Sequence, residues 1–340
     1  MSESVRARAS AKSASGRTRP RLIVISPAPL KSTLGNSITA QRYARIFRSL
    51  GWNVRIARTY DGEPADCIVG LHAKKSAKSI LAFRRRYPQG FVIVVLTGTD
   101  LYRDLSRSAV AQQALKAADR LVTLQPAGIA ELPRALRKKA VAIVQSVEAA
   151  PRIAKARNKP LTVCVIGHLR HEKDPLRAAY AVRERSGDGA VRVIQAGKFL
   201  AARFEPLVER ETARNPRYQY VGELSRANAL RLLARSDILV QSSRMEGGAN
   251  TVCEAIACGI PVIASRISGN VGILGAGYRG FYRCGDTEGL RALLQRAIAD
   301  PGFLATLRKA VVALQPLVRP ERERQAWRAV LPRNGQKPWP

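Results

Sequence analysis

The sequence predicts an α/β protein made of two doubly wound parallel-sheet domains that face a cleft. Three observations carry this expectation. The chain has 340 residues, which suits about two domains of roughly 150 residues each. Its apolar runs are short, continuous and rich in β-branched residues, as in strands covered on both faces, and they alternate with segments of helical periodicity. The alternation breaks once, at a loose charged stretch from Ala149 to Pro160, and then starts again.

The elements follow in order. Residues 1–20 are mostly Ser, Ala, Arg and Lys with almost nothing to bury, and read as a disordered basic tail. Leu22-Ile23-Val24-Ile25 is the first strand. After a turn rich in Pro and Gly, Ala40, Tyr43, Ala44, Phe47 and Leu50 recur at three-and-four spacing, and Gly51 ends the helix they define. Runs at 54–57, 67–71, 91–96, 121–124 and 141–144 complete an N-terminal domain over residues 21–150. Residues 151–160 form the linker. Leu161 to Ile166 opens a second series, continued by 191–196, 218–221, 238–241 and 262–265, within a C-terminal domain over residues 161–310. Residues 311–340 are expected to pack back on the N-terminal domain. Ligands in such sheets lie beyond the carboxyl ends of the strands, so those loops are where chemistry is sought.

Lys and Arg number 58 against 25 Asp and Glu, a net charge of +33. Such an excess suits nucleic acid, an anionic membrane or small anionic substrates. The basic residues are dispersed, aromatics make up 6% of the chain, and no zinc-finger, helix-turn-helix or RNP string occurs, which argues against nucleic acid. The longest clean apolar run, Phe91 to Leu96, falls far short of the roughly 18 residues of a membrane span. No apolar signal core follows the basic N-terminus, and the helix at 37–50 uses its apolar face for packing. The expectation is a cytoplasmic protein with no stable membrane association. Five cysteines, at 67, 164, 253, 258 and 284, show no CxxC pairing, and no acidic pair sits at a strand end, so no metal site is expected.

The richest stretch runs from Ser242 to Pro261. A strand ends near Gln241, a loop of small residues follows, and a helix opens at about Asn250 and stops at Gly259. Gly247 and Gly248 let backbone N–H groups approach a ligand closely, and the helix start adds partial positive charge, so Gly247, Gly248, Ala249, Asn250 and Thr251 form an anion cradle. Glu254, one turn into the helix, is placed to accept both hydroxyls of a vicinal diol. As plain structure, Glu254 would complement the helix dipole and the glycines would make a turn. A second segment, Gly167-His168-Leu169-Arg170-His171-Glu172-Lys173-Asp174-Pro175, sits at the mouth of a strand, where its cations would neutralise a leaving diphosphate or remain solvated surface charges.

The N-terminal half offers Gly35-Asn36 before a helix start, with Lys31, Arg42, Lys74 and Lys75 in loops or first turns on the same rim, a setting for a small oxyanion. His72 ends a strand and is either a capped structural histidine or a hydrogen-bonding partner of a bound ligand. Thr97-Gly98-Thr99-Asp100 ends another, and Asp100 would bind a sugar hydroxyl or cap the following helix.

The string from Glu246 to Glu254 resembles the Glu-x7-Glu element of retaining glycosyltransferases of the GT-B fold, family-4 type. That resemblance implies two Rossmann-like domains, contact of Glu246 with the donor sugar, of Glu254 with the nucleotide ribose, and of the Gly247 to Asn250 amides with sugar and diphosphate. It implies a pyrophosphate role for Lys173; the Arg expected just after Gly167 is His168 here, with Arg170 as its substitute. Ser26-Pro27-Ala28-Pro29, Gly35 to Ala40, Asp61-Gly62-Glu63-Pro64, Leu71 to Ala77 and Leu96 to Tyr102, together with the 167–175 segment, resemble the selenosugar synthases of selenoneine biosynthesis. The similarity covers roughly residues 21–310. It implies transfer of the sugar of UDP-N-acetylglucosamine or UDP-glucose to the selenium of selenophosphate, with no cofactor, Lys173, Arg170, Glu246 and His72 at the reaction centre, and other enzymes of the selenoneine pathway as partners. The rival readings are a family-4-type enzyme acting on a hydroxyl of a cell-surface glycan or lipid, a UDP-sugar epimerase, and a nucleic-acid-binding protein.

Overall fold

The computed structural model describes residues 19–29, 34–148, 160–183 and 191–332. Nearly all of the basic tail, all but the last residue of the 151–160 linker, Lys31, and residues 333–340 lie outside the described residues.

The first sheet carries six parallel strands: β1 (Arg21–Ile25), β2 (Asn53–Ala57), β3 (Cys67–Leu71), β4 (Phe91–Leu96), β5 (Arg120–Thr123) and β6 (Ala140–Ala142), in the order β2-β1-β3-β4-β5-β6. Helices α1 (Gly35–Ser49), α2 (Ala73–Arg86) and α3 (Ala109–Ala117) connect them. Strands β3 and β4 are buried along their whole length, which is why their sequences read as unbroken apolar runs rather than as alternation. Each face of the sheet has its own core, one around Tyr43, Phe47 and Trp52, the other around Ile80, Phe83 and Leu115.

The second sheet repeats the scheme. Strands β7 (Leu161–Ile166), β8 (Val191–Ala196), β9 (Tyr218–Tyr220), β10 (Ile238–Gln241), β11 (Val262–Ser265) and β12 (Phe281–Tyr282) run parallel in the order β12-β11-β10-β7-β8-β9. Between and after them come α4 (Arg177–Ala181), α5 (Glu205–Arg214), α6 (Arg226–Arg235), α7 (Asn250–Cys258), α8 (Ser268–Leu274), α9 (Thr287–Ala299), α10 (Pro301–Ala313) and α11 (Pro320–Val330). Gly259 ends α7 in the left-handed region at φ 66°, which glycine adopts without strain. Strand β12 escapes the sequence pattern because it has two residues, too few to show a period.

Helix α11 leaves the second domain and lies against α1 of the first. Its Trp327 is fully buried, 4.6 Å from the Tyr43 ring and 4.9 Å from that of Phe47 in edge-on geometry. The strand order reverses beside β1 in one sheet and beside β7 in the other. Crevices open at such points, and the two face each other.

Candidate active site

A cavity of about 380 Å³ occupies the cleft, and loops from the carboxyl ends of strands in both sheets line it. Its first-domain wall includes Pro27 to Pro29, Gly35, Asn36, Thr39, His72, Lys75, Thr97 to Thr99, Leu124 and Gln145. Its second-domain wall includes Gly167, His168, Arg170, Lys173, Gly197, Glu223, Arg226, Glu246 to Gly248, Asn250, Thr251 and Glu254. Helices α1 and α7 both begin at this cavity, and neither start carries a side-chain cap. Their first N–H groups therefore remain available to an anion.

The loop before α7 owes its shape to glycine. A Cβ on Gly247 would stand 2.4 Å from the carbonyl carbon of Thr97, and one on Gly248 2.5 Å from Leu124 Cβ. The second domain's loop thus touches the first domain at backbone distance. Glu246, at its head, is nearly buried, and its Oε1 accepts hydrogen bonds from Lys173 Nζ at 2.5 Å, Gln241 Nε2 at 2.9 Å and Ser243 Oγ at 2.5 Å. Lys173 and Glu246 form one charge-assisted pair on the second-domain wall of the cavity. Arg170 lines the same wall with its side chain 42% exposed and its Nε 3.9 Å from Glu172 Oε2. His168 uses Nδ1 to accept from the Lys198 N–H at 3.2 Å.

Glu254 lies one turn inside α7. Burial pushes its carboxyl above the ordinary range, while Arg226, with Nη2 at 3.8 Å, and Arg42 pull it down. Arg226 escaped the sequence analysis although it follows directly from the strand-end rule, as do Gln145 and Gly197. Gly197 has a physical mark too, since a Cβ there would fall 2.0 Å from the Gly167 carbonyl oxygen.

On the first-domain side His72 sits at φ 71°, a conformation that costs a non-glycine residue about 1–3 kcal/mol. It caps α2, its Nδ1 accepting from the Lys75 N–H at 3.4 Å and its Nε2 lying 3.0 Å from Thr99 Oγ1. With Nδ1 accepting, the neutral ring carries its proton on Nε2. Burial depresses its pKa below the ordinary histidine value, against the pull of Asp100. His72 thus combines both sequence readings: it caps a helix and lines the cavity.

Four expected site residues do not line the cavity. Asp100 is fully buried, and its carboxylate accepts from the N–H groups of Ala73, Thr97 and Gly98, stitching the loop together instead of facing a sugar. Arg42 lies inside α1 rather than on the rim, 6% exposed, with Nη1 donating to the Ser146 carbonyl at 2.9 Å. Lys74 points to Asp104 at 3.9 Å and is half exposed outside the cavity. Ala249 is buried as the N-cap of α7. The remainder of the expected set, from Gly35 and Asn36 through Lys75 and Thr97 to Gly167 and Thr251, meets at one cavity.

Two facing Rossmann-like domains with a cationic, helix-start-lined cleft define the GT-B architecture. Residues 138–311 match the family described as glycosyl transferases group 1, and the chain belongs to that family. No curated protein matches it. Among solved structures it resembles a sucrose-phosphate synthase from Thermosynechococcus elongatus (TM-score 0.74, 17% identity, covering 92% of this chain and 99% of that one). It also resembles HepE of Anabaena, solved with UDP and glucose (0.71, 14%, 91% and 98%), and a glycosyltransferase from Rickettsia africae (0.69, 14%, 92% and 97%). No helix among the described residues is long and apolar enough to cross a membrane.

Proposed function

We propose that this glycosyltransferase is a selenosugar synthase, which moves the sugar of UDP-N-acetylglucosamine or UDP-glucose onto the selenium of selenophosphate in the cytoplasm. The structural relative HepE, solved with UDP-glucose, supports the donor class. Residues 161–310 hold the donor, residues 21–150 present the acceptor, and α11 of the C-terminal segment braces the first domain.

The reaction balances simply. The bond from anomeric carbon to diphosphate oxygen breaks, its electron pair leaving with UDP, and a selenium lone pair forms the carbon–selenium bond. Water then cleaves the Se–P bond, giving inorganic phosphate and the 1-seleno-sugar. Lys173, Arg170 and the start of α7 stabilise charge that grows on the departing diphosphate. Glu246, fixed by Gln241 and Ser243, holds Lys173 and a donor hydroxyl in register. Glu254 takes the ribose diol.

One observation carries the choice of acceptor. Among the described residues, the first-domain wall of the cavity includes no carboxylate, and its histidine, His72, is engaged at both ring nitrogens, with Asp104 Oδ2 behind it at 3.8 Å from Nε2. An alcohol asks for a base to take its proton, whereas selenophosphate brings its own anionic, polarisable nucleophile. Lys75 and the α1 start at Gly35-Asn36 are suited to its phosphoryl end. Titrating selenophosphate at saturating UDP-sugar should give saturable UDP release, with Lys75→Ala raising the half-saturating concentration about tenfold and Lys74→Ala leaving it near wild type. UDP release driven by glycerol or a sugar but not by selenophosphate would overturn the reading.

A further inference from the structure

Arg42 was expected at the acceptor, and the structure gives it other work. Its Nη1 donates to the Ser146 carbonyl at 2.9 Å, and its Nη2 donates across the domain boundary to Asn250 Oδ1 at 3.3 Å. Its Nε lies 3.8 Å from Glu323 Oε1, on α11. Glu323 is 1% exposed, and its other oxygen accepts from Ser146 N at 2.7 Å and Ser146 Oγ at 2.5 Å.

This is an odd arrangement to build for stability. Around it, among the described residues, four buried polar atoms have no hydrogen-bond partner: Arg42 Nε, Gln145 Oε1, Glu323 Oε1 and Trp327 Nε1. A buried ion pair with unsatisfied atoms on both sides is no more stabilising than well-packed apolar residues of the same size. What it does provide is direction. Helix α1 begins at the acceptor wall with Gly35 and Asn36, and two turns later its Arg42 reaches Asn250, the first residue of α7. Glu323 and the Ser146 carbonyl hold that guanidinium from behind.

We propose that Arg42 is a positioning residue: braced by Glu323 of the C-terminal helix, it fixes the start of the donor helix relative to the acceptor wall. The same α1 then sets both partners of the reaction, and α11 acts on the cleft from outside it. The donor reading enters only the kinetic half of the test.

The test uses the full chain carrying Arg42→Gln together with Glu323→Gln, which removes both charges and leaves neither stranded, and Asn250→Ala as the single-bond variant. Hydrogen exchange without ligand should quicken at least tenfold at the Val252 and Cys253 amides in both variants, while amides of α9 and α10 stay within twofold of wild type. Unchanged exchange at α7, or a uniform acceleration across the second domain, would overturn the proposal. In the kinetic half, the double variant should bind UDP within threefold of wild type yet turn over at least tenfold more slowly; equal losses in both would count against it. Because exchange needs no substrate, a wrong donor assignment shows as absent UDP binding in the wild type while the exchange result stands by itself.

Discussion

Glu254 shows how much one carboxylate depends on its surroundings. Burial raises its pKa and Arg226 opposes the rise. In the proposed role as acceptor of the ribose diol, protonation would remove that acceptor, so UDP affinity should weaken on acidification at a higher pH than an ordinary carboxylate would give. Calorimetry across pH should show this for the wild type, and Glu254→Gln should remove that component. Glu254→Ala should cost about 1.5–3 kcal/mol of UDP binding, the worth of a hydrogen bond to a charged group; unchanged affinity in the folded variant would refute the assignment. Lys173 is proposed to act differently, its charge mattering most as UDP departs. Lys173→Ala should lower kcat much more than it weakens UDP binding, and steady-state kinetics beside calorimetry separates the two. At this scale the sequence led to the cavity where a residue type and a strand end coincided, as at Lys173 and Glu246. Asp100, for which capping was the alternative, and Arg42 were expected there too, and neither lines the cavity. Both are buried polar residues, and only the fold reveals that their partners are backbone groups and a residue of a helix more than two hundred positions away.

At the scale of elements, apolar continuity located almost every strand, because burial on both faces leaves no room for polar alternation. It failed at β12, where the strand is shorter than any period. Helix ends were legible through Gly51 and Gly259, whereas the starts of α1 and α7 lack side-chain caps and so gave no capping signal. Helix α5 offers a test of its own. Burial alone would raise the Glu211 carboxyl, but hydrogen bonds from Arg183, Arg214 and Asn215 outweigh it and hold the pKa down at about 2. A depressed carboxylate contributes stability that is present above its unfolded value, about 4.3, and lost as pH falls toward the folded one. The wild-type melting temperature should therefore drop between pH 5 and pH 2 more steeply than that of Glu211→Gln, which starts lower at neutral pH. Thermal melts followed by circular dichroism check the slope.

Across the whole molecule, the two sheets meet where glycine lets backbones touch, at Gly247 beside Thr97, and where α11 crosses back. Trp327→Ala should destabilise the chain by about 3–5 kcal/mol, the usual cost of emptying a large buried aromatic site, and denaturant unfolding would register it. The charge of +33 finds a local use in the cleft, where Lys75, Arg170, Lys173 and Arg226 stand around the helix starts. The doubly wound architecture was legible from strand–helix alternation alone. The contact between domains was not, since nothing in a local pattern tells which loop faces which. The central claim is that this cleft joins a UDP-sugar to selenium, and one measurement bears on it most directly. Purified protein is incubated with UDP-N-acetylglucosamine or UDP-glucose, selenophosphate and an equal concentration of glycerol, and the products are resolved by mass. The account predicts a hexose or N-acetylhexosamine species bearing the isotope pattern of a single selenium, formed together with UDP; a glycerol glycoside with no selenium-bearing sugar would contradict it.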